Sequence, residues 1–168
     1  MDLTTAQALW FLPPVLPICI YVIWSDLARM KIPNIATDTL LVVFAIVGLL
    51  ALPFDAYLWR WLHFGVVLAL GIAFNAAGAM GGGDAKFCAS AAPFIAFGDL
   101  VIILVLVSAA ALAGVASHKI AKRTPIRRWT PDWVSWNPEV GKRKFPMGYP
   151  LAGSLLAYLV AGLFYGAA

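Results

Sequence analysis

Long apolar runs, separated by short polar segments, dominate the 168-residue chain. Each run has about 20 residues, which is the length a helix needs to cross the roughly 30 Å hydrocarbon core of a bilayer. Of all residues, 62% are hydrophobic and 12% are charged, whereas a soluble domain carries about 25% charged residues. A water-soluble globule of this size could not bury so much apolar surface. The composition therefore excludes a soluble enzyme, a nucleic-acid-binding module and a disordered chain.

The runs predict an all-α polytopic membrane protein, a single membrane-embedded domain over residues 1–168 with about six transmembrane helices. The spans are expected at residues 6–24, 35–52, 59–80, 81–97, 100–117 and 147–165. A cleavable signal peptide needs a basic start, and residues 1–5 contain no lysine or arginine. We therefore interpret the first run as a permanent span.

Most of the positive charge lies in one linker, residues 118–146. It holds eight of the 12 lysines and arginines: Lys119, Lys122, Arg123, Arg127, Arg128, Lys142, Arg143 and Lys144. In so apolar a chain, such a run indicates a cytoplasmic loop under the positive-inside rule, not a nucleic-acid partner. We expect a basic, aromatic strip at the lipid headgroups, with docking of a partner protein as the alternative.

The fourth span is unusually short, because its apolar part, residues 87–97, has only 11 residues. It could enter the membrane and return on the same side. If Arg29 and Lys31 are cytoplasmic, however, a segment that did not cross would leave the basic linker outside, against the positive-inside rule. We therefore predict a crossing that starts near Gly81, with both termini external. Asp84 then lies about one helical turn inside the membrane, near the cytoplasmic face.

Two acidic residues, Asp26 and Asp84, are expected at the same membrane face in separate spans, because the predicted crossings place both on the cytoplasmic side. An ionisable side chain at this depth is costly and indicates a functional site. Two neighbouring carboxyl groups suit peptide hydrolysis, because one keeps a proton while the other acts as a base on water. Of the other acids, Asp99 is explained by turn chemistry, and Asp38 either complements a helix dipole or faces the site.

Two other interpretations of the pair remain open at this point. Asp26 could form an interfacial ion pair with Arg29 or Lys31, and Asp84 one with Lys86. The pair could also be an ion or proton site in a small transporter or assembly subunit. Cys19 and Cys88 lie in apolar runs without a CxxC spacing, so neither a metal nor a cofactor is implied.

The residues around each acid resemble the prepilin peptidase family, whose members are membrane aspartyl proteases with a GxGD motif. Asp84 stands in Gly81-Gly82-Gly83-Asp84-Ala85-Lys86, which is similar to the family's GxGDxK motif. Asp26 is followed by Ile32-Pro33-Asn34, as in the family's first motif. Pro146-Met147-Gly148 is similar to the Pro-x-Gly entry into the family's last span. The three matches occur in family order.

The resemblance implies that Asp26 and Asp84 are the catalytic pair. Gly81, Gly82 and Gly83 would let a substrate backbone approach Asp84, and they permit positive φ, although a plain loop before a helix explains them too. Lys86 would act on Asp84, hold a substrate carboxylate or anchor the chain at the membrane surface. Asn34 is expected to cap the second span.

The resemblance is to the short type of prepilin peptidase, found with tight-adherence (Flp-type) pilus systems. The chain carries no paired CxxC region, so N-methylation of the product is not expected. The implied protein is a multi-pass enzyme of the bacterial inner membrane that removes the basic leader of a prepilin at the cytoplasmic side. Pseudopilins and preflagellins are the alternative substrates, and the pilus assembly machinery is a further expected partner.

Overall fold

The computed structural model describes residues 1–125, 129–136 and 145–167. Six α-helices occur within these residues: α1 Thr5–Arg29, α2 Asn34–Ala51, α3 Phe54–Ala76, α4 Gly82–Ala91, α5 Leu100–Arg123 and α6 Gly148–Tyr165. Short 3-10 turns occupy Ala92–Phe94, Phe97–Asp99 and Val134–Trp136. Five segments are long and apolar enough to cross a membrane: α1, α2, α3, α6 and the stretch Phe97–Arg123 that contains α5. The prediction of an all-α polytopic membrane protein is confirmed.

Helices α1 and α5 run further than the expected spans. Helix α1 continues to Arg29 and ends where Met30 adopts the left-handed conformation, with φ 55°. Helix α5 continues to Arg123, because basic residues are good helix formers and stabilise a helix C-terminus. It ends at Thr124, since the residue before a proline, here Pro125, disfavours helical backbone. The polar linker therefore begins later than the expected residue 118.

Part of the linker folds against the end of α5. The Trp136 ring stacks on His118 with centroids 4.9 Å apart, and its indole N–H donates to the Thr130 carbonyl oxygen at 2.8 Å. Five of the linker cations lie outside the described residues: Arg127, Arg128, Lys142, Arg143 and Lys144. The basic strip at the lipid headgroups therefore stays a prediction.

The segment predicted as the fourth crossing is not among the five candidate membrane spans, and it is helical over only ten residues, Gly82–Ala91. Ten residues rise about 15 Å, or half the hydrocarbon thickness. The helix stops there because Pro93 cannot continue it, and the crossing proceeds through two 3-10 turns to Asp99. The observed helix is thus shorter than the span expected over residues 81–97.

Residues 82–99 join opposite ends of the bundle. At the end of the bundle that we call the Asp26 end, the start of α4 lies beside the start of α2, where Lys86 donates to Asn34 at 3.0 Å. At the other end, the Asp99 end, the Asp99 carboxylate accepts a hydrogen bond from the Asp2 N–H at 2.8 Å. The described chain ends also meet at the Asp99 end, where the Thr5 N–H donates to the Ala167 carbonyl oxygen at 3.1 Å.

Buried polar side chains serve the irregular part of this crossing. Backbone groups at membrane depth must be hydrogen-bonded within the protein when they leave a helix. Arg60 of α3, which is 7% exposed, donates to the Pro93 carbonyl oxygen at 3.0 Å. The Tyr158 hydroxyl of α6 accepts from the Ala96 N–H at 3.0 Å and donates to Asp99 at 2.8 Å. Arg60 and Tyr158 therefore each pair with a backbone group of the segment that follows α4, and Asp99 holds the Tyr158 hydroxyl in place.

Asp99 does lie in a turn, as expected, but turn chemistry is not its main role. Its side chain is 1% exposed. Besides Tyr158, it accepts hydrogen bonds from the backbone N–H groups of Asp2 at 2.8 Å and Leu3 at 3.0 Å. The carboxylate thus ties the segment before α1 to the start of α5 and to α6.

An aromatic cluster packs against the same irregular segment. Phe94 contacts Phe11 of α1 and Phe44 of α2 edge-on, with ring centroids 5.1 and 5.4 Å apart. Helix α4 itself lies close against α3, because a Cβ atom at Gly71 would come within 2.9 Å of the Ala85 Cβ. Small residues allow such close approach of helices in membranes. The short fourth helix is therefore held on one side by backbone proximity and at its far end by aromatic packing.

Candidate active site

Asp26 occupies the last turn of α1 and is 5% exposed. Its Oδ2 atom accepts a hydrogen bond from the backbone N–H of Gly148 at 2.6 Å. Gly148 is the first residue of α6, so the carboxylate lies at a helix N-terminus, where free N–H groups favour an acidic partner. The first and last helices thereby position Asp26 together.

Gly148 is glycine for a steric reason. A Cβ atom there would lie 2.9 Å from the Ile32 Cδ1 atom and 3.0 Å from the Asp26 carboxyl carbon. Any side chain at this position must push Ile32 or the carboxylate away. The Pro-x-Gly resemblance marked this residue in the sequence, but it did not indicate the contact with Asp26.

Asp84 lies in the first turn of α4 and is partly buried. Of the three preceding glycines, Gly81 is the one that the carboxylate requires, because a Cβ there would lie 2.7 Å from Asp84 Oδ2. At Gly82 and Gly83 the nearest atoms would be 3.6 and 3.4 Å away, which are ordinary contact distances. The expectation of positive φ is wrong for this run: Gly81 has φ −67°, and the described glycine with positive φ is Gly78.

The Ile-Pro-Asn segment connects the two acidic residues. Ile32 lies beside Gly148, and its Cβ is 3.4 Å from where a Cβ of Gly83 would be. The expectation that Asn34 is the N-cap of α2 is wrong. Pro33 occupies that position, and it makes no side-chain capping hydrogen bond. The Asn34 side chain instead accepts the hydrogen bond from Lys86. The three motifs, distant in sequence, therefore meet at the Asp26 end.

The two carboxyl groups lie at the same end of the bundle, because Ile32 approaches both Gly148, which donates to Asp26, and Gly83, which precedes Asp84. Two of the three cations named in the ion-pair interpretation, Arg29 and Lys86, have other contacts. The Arg29 guanidinium lies 4.9 Å from the centre of the Trp24 ring, and Lys86 binds Asn34. The arrangement thus offers two carboxyl groups from different helices, one of them fixed by a backbone donor.

The remaining acidic candidate, Asp38, is exposed and lies one turn after Asn34 on α2. Its Oδ1 atom is 3.5 Å from the hydroxyl of its neighbour Thr37. Among the described residues, no group of three or more His, Cys, Asp or Glu side chains could hold a metal ion. Arg60 and Tyr158, which sequence reasoning missed, lie at the Asp99 end, and an arginine inside an apolar run was the available signal.

Comparison with known proteins addresses the chemistry of this site. The sequence profile of the type IV leader peptidase family matches residues 15–116, well over half of the chain. The matched region contains both Asp26 and Asp84 and ends before α6. No curated protein and no solved structure matches the chain. The match favours a peptidase over an ion site in a transporter or assembly subunit. The chain therefore belongs to the type IV leader peptidase family.

Proposed function

We propose that this chain is an aspartic endopeptidase of the bacterial inner membrane, which removes the leader of Flp-type prepilins at the cytoplasmic face. Asp26 and Asp84 are the catalytic pair in this proposal. The observation that carries it is the meeting of these two acids at one end of the bundle, through contacts made by Ile32, Lys86 and Gly148. Membership of a leader peptidase family supplies the reaction class.

The chemistry needs no group beyond the pair and a water molecule. One carboxylate takes a proton from water, and the hydroxide adds to the carbon of the scissile carbonyl. The other carboxyl group gives its proton to the carbonyl oxygen, so that no oxyanion accumulates. The first group then passes its proton to the amide nitrogen of this gem-diol intermediate. The C–N bond breaks as the second group takes a proton from one diol hydroxyl, which leaves a carboxylic acid and a free amine. Both groups return to their starting states.

The distribution of positive charge supports cleavage at the cytoplasmic face. Arg29 and Lys31 lie three and five residues after Asp26, and the basic linker starts where α5 returns to the Asp26 end. Lysines and arginines near span ends collect on the cytoplasmic side. A basic leader would therefore meet the carboxyl groups in the compartment where the leader is made.

The substrate class is tested by a panel of three purified substrates. Flp-type prepilin, a pseudopilin and a preflagellin are each incubated with the protein in bilayers, and mass spectrometry detects loss of the leader. We expect cleavage after the leader glycine, fastest for the Flp-type prepilin. A faster reaction with the pseudopilin or preflagellin contradicts the substrate assignment. Absence of cleavage in all three, together with ion flux into liposomes, contradicts the peptidase assignment.

Gly148→Ala is expected to slow leader cleavage by about tenfold or more while the protein stays folded, because the added methyl group displaces the Asp26 carboxyl group or Ile32. Initial rates on Flp-type prepilin measure the effect. Gly153→Ala is the matched control in the same helix, since a Cβ there meets no atom within 4 Å. Equal cleavage rates for the two variants would show that Gly148 does not position the Asp26 carboxyl group.

A further inference from the structure

An apolar groove of about 710 Å³ lies between α3 and α5. One wall is formed by Leu62, Val66 and Leu70 of α3, and the other by Leu100, Leu104 and Val107 of α5. Leu62, Val66, Leu70, Leu100 and Leu104 are exposed, as expected for side chains that face either lipid or a missing neighbour. The floor is made by α4 and α6, including Cys88 and Leu151.

The groove leads to the proposed catalytic pair. At the Asp99 end it begins near Phe97, and at the Asp26 end its floor includes Phe87, Cys88 and Leu151. Phe87 and Cys88 lie one helical turn after Asp84, and Leu151 lies one turn after Gly148. An occupant that follows the floor of the groove therefore arrives within about one helical turn of Asp84 and of Gly148, the residue that donates to Asp26.

We propose that this groove receives the apolar helix of the substrate and so presents the peptide bond before that helix to Asp26 and Asp84. This inference rests on the proposed function and names the surface that recognises the substrate. Both walls present side chains at intervals of three and four residues, the rows into which the side chains of another helix pack. The α3 wall, from Trp59 to Leu70, is about 17 Å long, which matches about three turns of a bound helix.

Charge favours a peptide over a lipid as the occupant. A phospholipid acyl chain in the groove would bring its phosphate toward the two acidic side chains, and like charges repel most strongly in weakly polar surroundings. A prepilin brings a basic leader to the same place, so an apolar segment meets the groove while positive charge meets the acids. The junction between the basic leader and the apolar helix of the substrate then lies at the Asp26 end of the groove.

The inference is tested with a matched pair of variants on α5. Leu104 lines the groove, whereas its neighbour Val105 is similarly exposed and is not among the lining residues. We expect Leu104→Trp to raise KM for full-length prepilin about tenfold. Cleavage of a peptide that contains the leader and junction but lacks the apolar helix should be unchanged. Val105→Trp should match the wild type on both substrates. Unchanged KM for Leu104→Trp, or equal loss on both substrates, overturns the proposal.

Photocross-linking tests docking independently of catalysis and of any folding defect in the tryptophan variant. A photoreactive amino acid is placed at position 104 or 105, and the protein is irradiated in bilayers with full-length prepilin. We expect adducts with the prepilin helix from position 104 and few from position 105. Adducts of position 104 with phospholipid alone overturn the groove assignment, even if the wild type cleaves prepilin. Failure of the wild type to cleave, with adducts present, instead contradicts the proposed function and leaves the docking surface supported.

Discussion

Asp84→Asn is expected to lower the rate of leader cleavage about 10³-fold or more, and Asp26→Asn is expected to have the same effect. Asparagine keeps the shape of the side chain but can neither take a proton from water nor give one to a carbonyl oxygen. Initial rates with purified variants and Flp-type prepilin measure the loss. Because the two groups act as a unit, the double variant should be hardly slower than either single one.

Asp38→Asn is the control for this prediction. Asp38 is exposed and lies on α2 one turn from Asn34. Its substitution therefore tests whether the loss of any carboxylate at the Asp26 end lowers the cleavage rate. Its rate should stay within about twofold of the wild type, as for most surface substitutions. A wild-type rate for Asp26→Asn or Asp84→Asn would exclude the catalytic pair. A large loss for Asp38→Asn would show that the site contains a third acid.

Asp99→Ala is expected to lower the free energy of unfolding by about 3–5 kcal/mol, because three donors, two of them in buried hydrogen bonds, lose their acceptor. Thermal unfolding in detergent micelles, followed by tryptophan fluorescence, should show a midpoint roughly 10 °C lower. The reason is geometric: one carboxylate joins the segment before α1, the start of α5 and Tyr158 of α6. No other described side chain accepts from both Asp2 and Leu3.

Asp55→Ala is the matched control for Asp99→Ala. Asp55 is an exposed acid in the first turn of α3, at the same end of the bundle. Its loss removes only a favourable interaction with a helix N-terminus, so the change should be less than about 1 kcal/mol. If Asp99→Ala unfolds at the same temperature as Asp55→Ala, the Asp99 network does not stabilise the fold.

Charge and hydropathy were enough to predict a polytopic membrane protein, and to predict that Asp26 and Asp84 lie at the same end of the bundle. Both features depend on patterns that a bilayer imposes on the whole chain, namely span length and the side on which cations lie. The catalytic role of the pair stays a prediction, as do the roles of Lys86 and the glycines toward substrate. The motifs indicated which residues form the candidate site, but not which of their side chains and backbone groups are in contact.

Contacts between distant segments could not be predicted. The interpretation of Asn34 as an N-cap followed local preference, but its side chain binds Lys86 of another helix. Arg60 lies inside an apolar run, and its role depends on the carbonyl of Pro93, which is free only because α4 is short. Helices α1 and α5 also extend beyond their apolar runs, to Arg29 and Arg123. Hydropathy predicts which residues lie in the membrane, but it does not predict where the backbone hydrogen bonds of a helix end.

The shortness of α4 has an electrostatic consequence. Aligned peptide groups give a helix a partial positive charge at its N-terminus and a partial negative charge at its C-terminus. Asp84 lies in the first turn of α4, and Arg60 binds the Pro93 carbonyl just beyond its last turn. Each side chain thus complements the helix macrodipole at its own end. Because α4 has only ten residues, a buried cation can lie at the negative end of the same short helix that has Asp84 at its positive end.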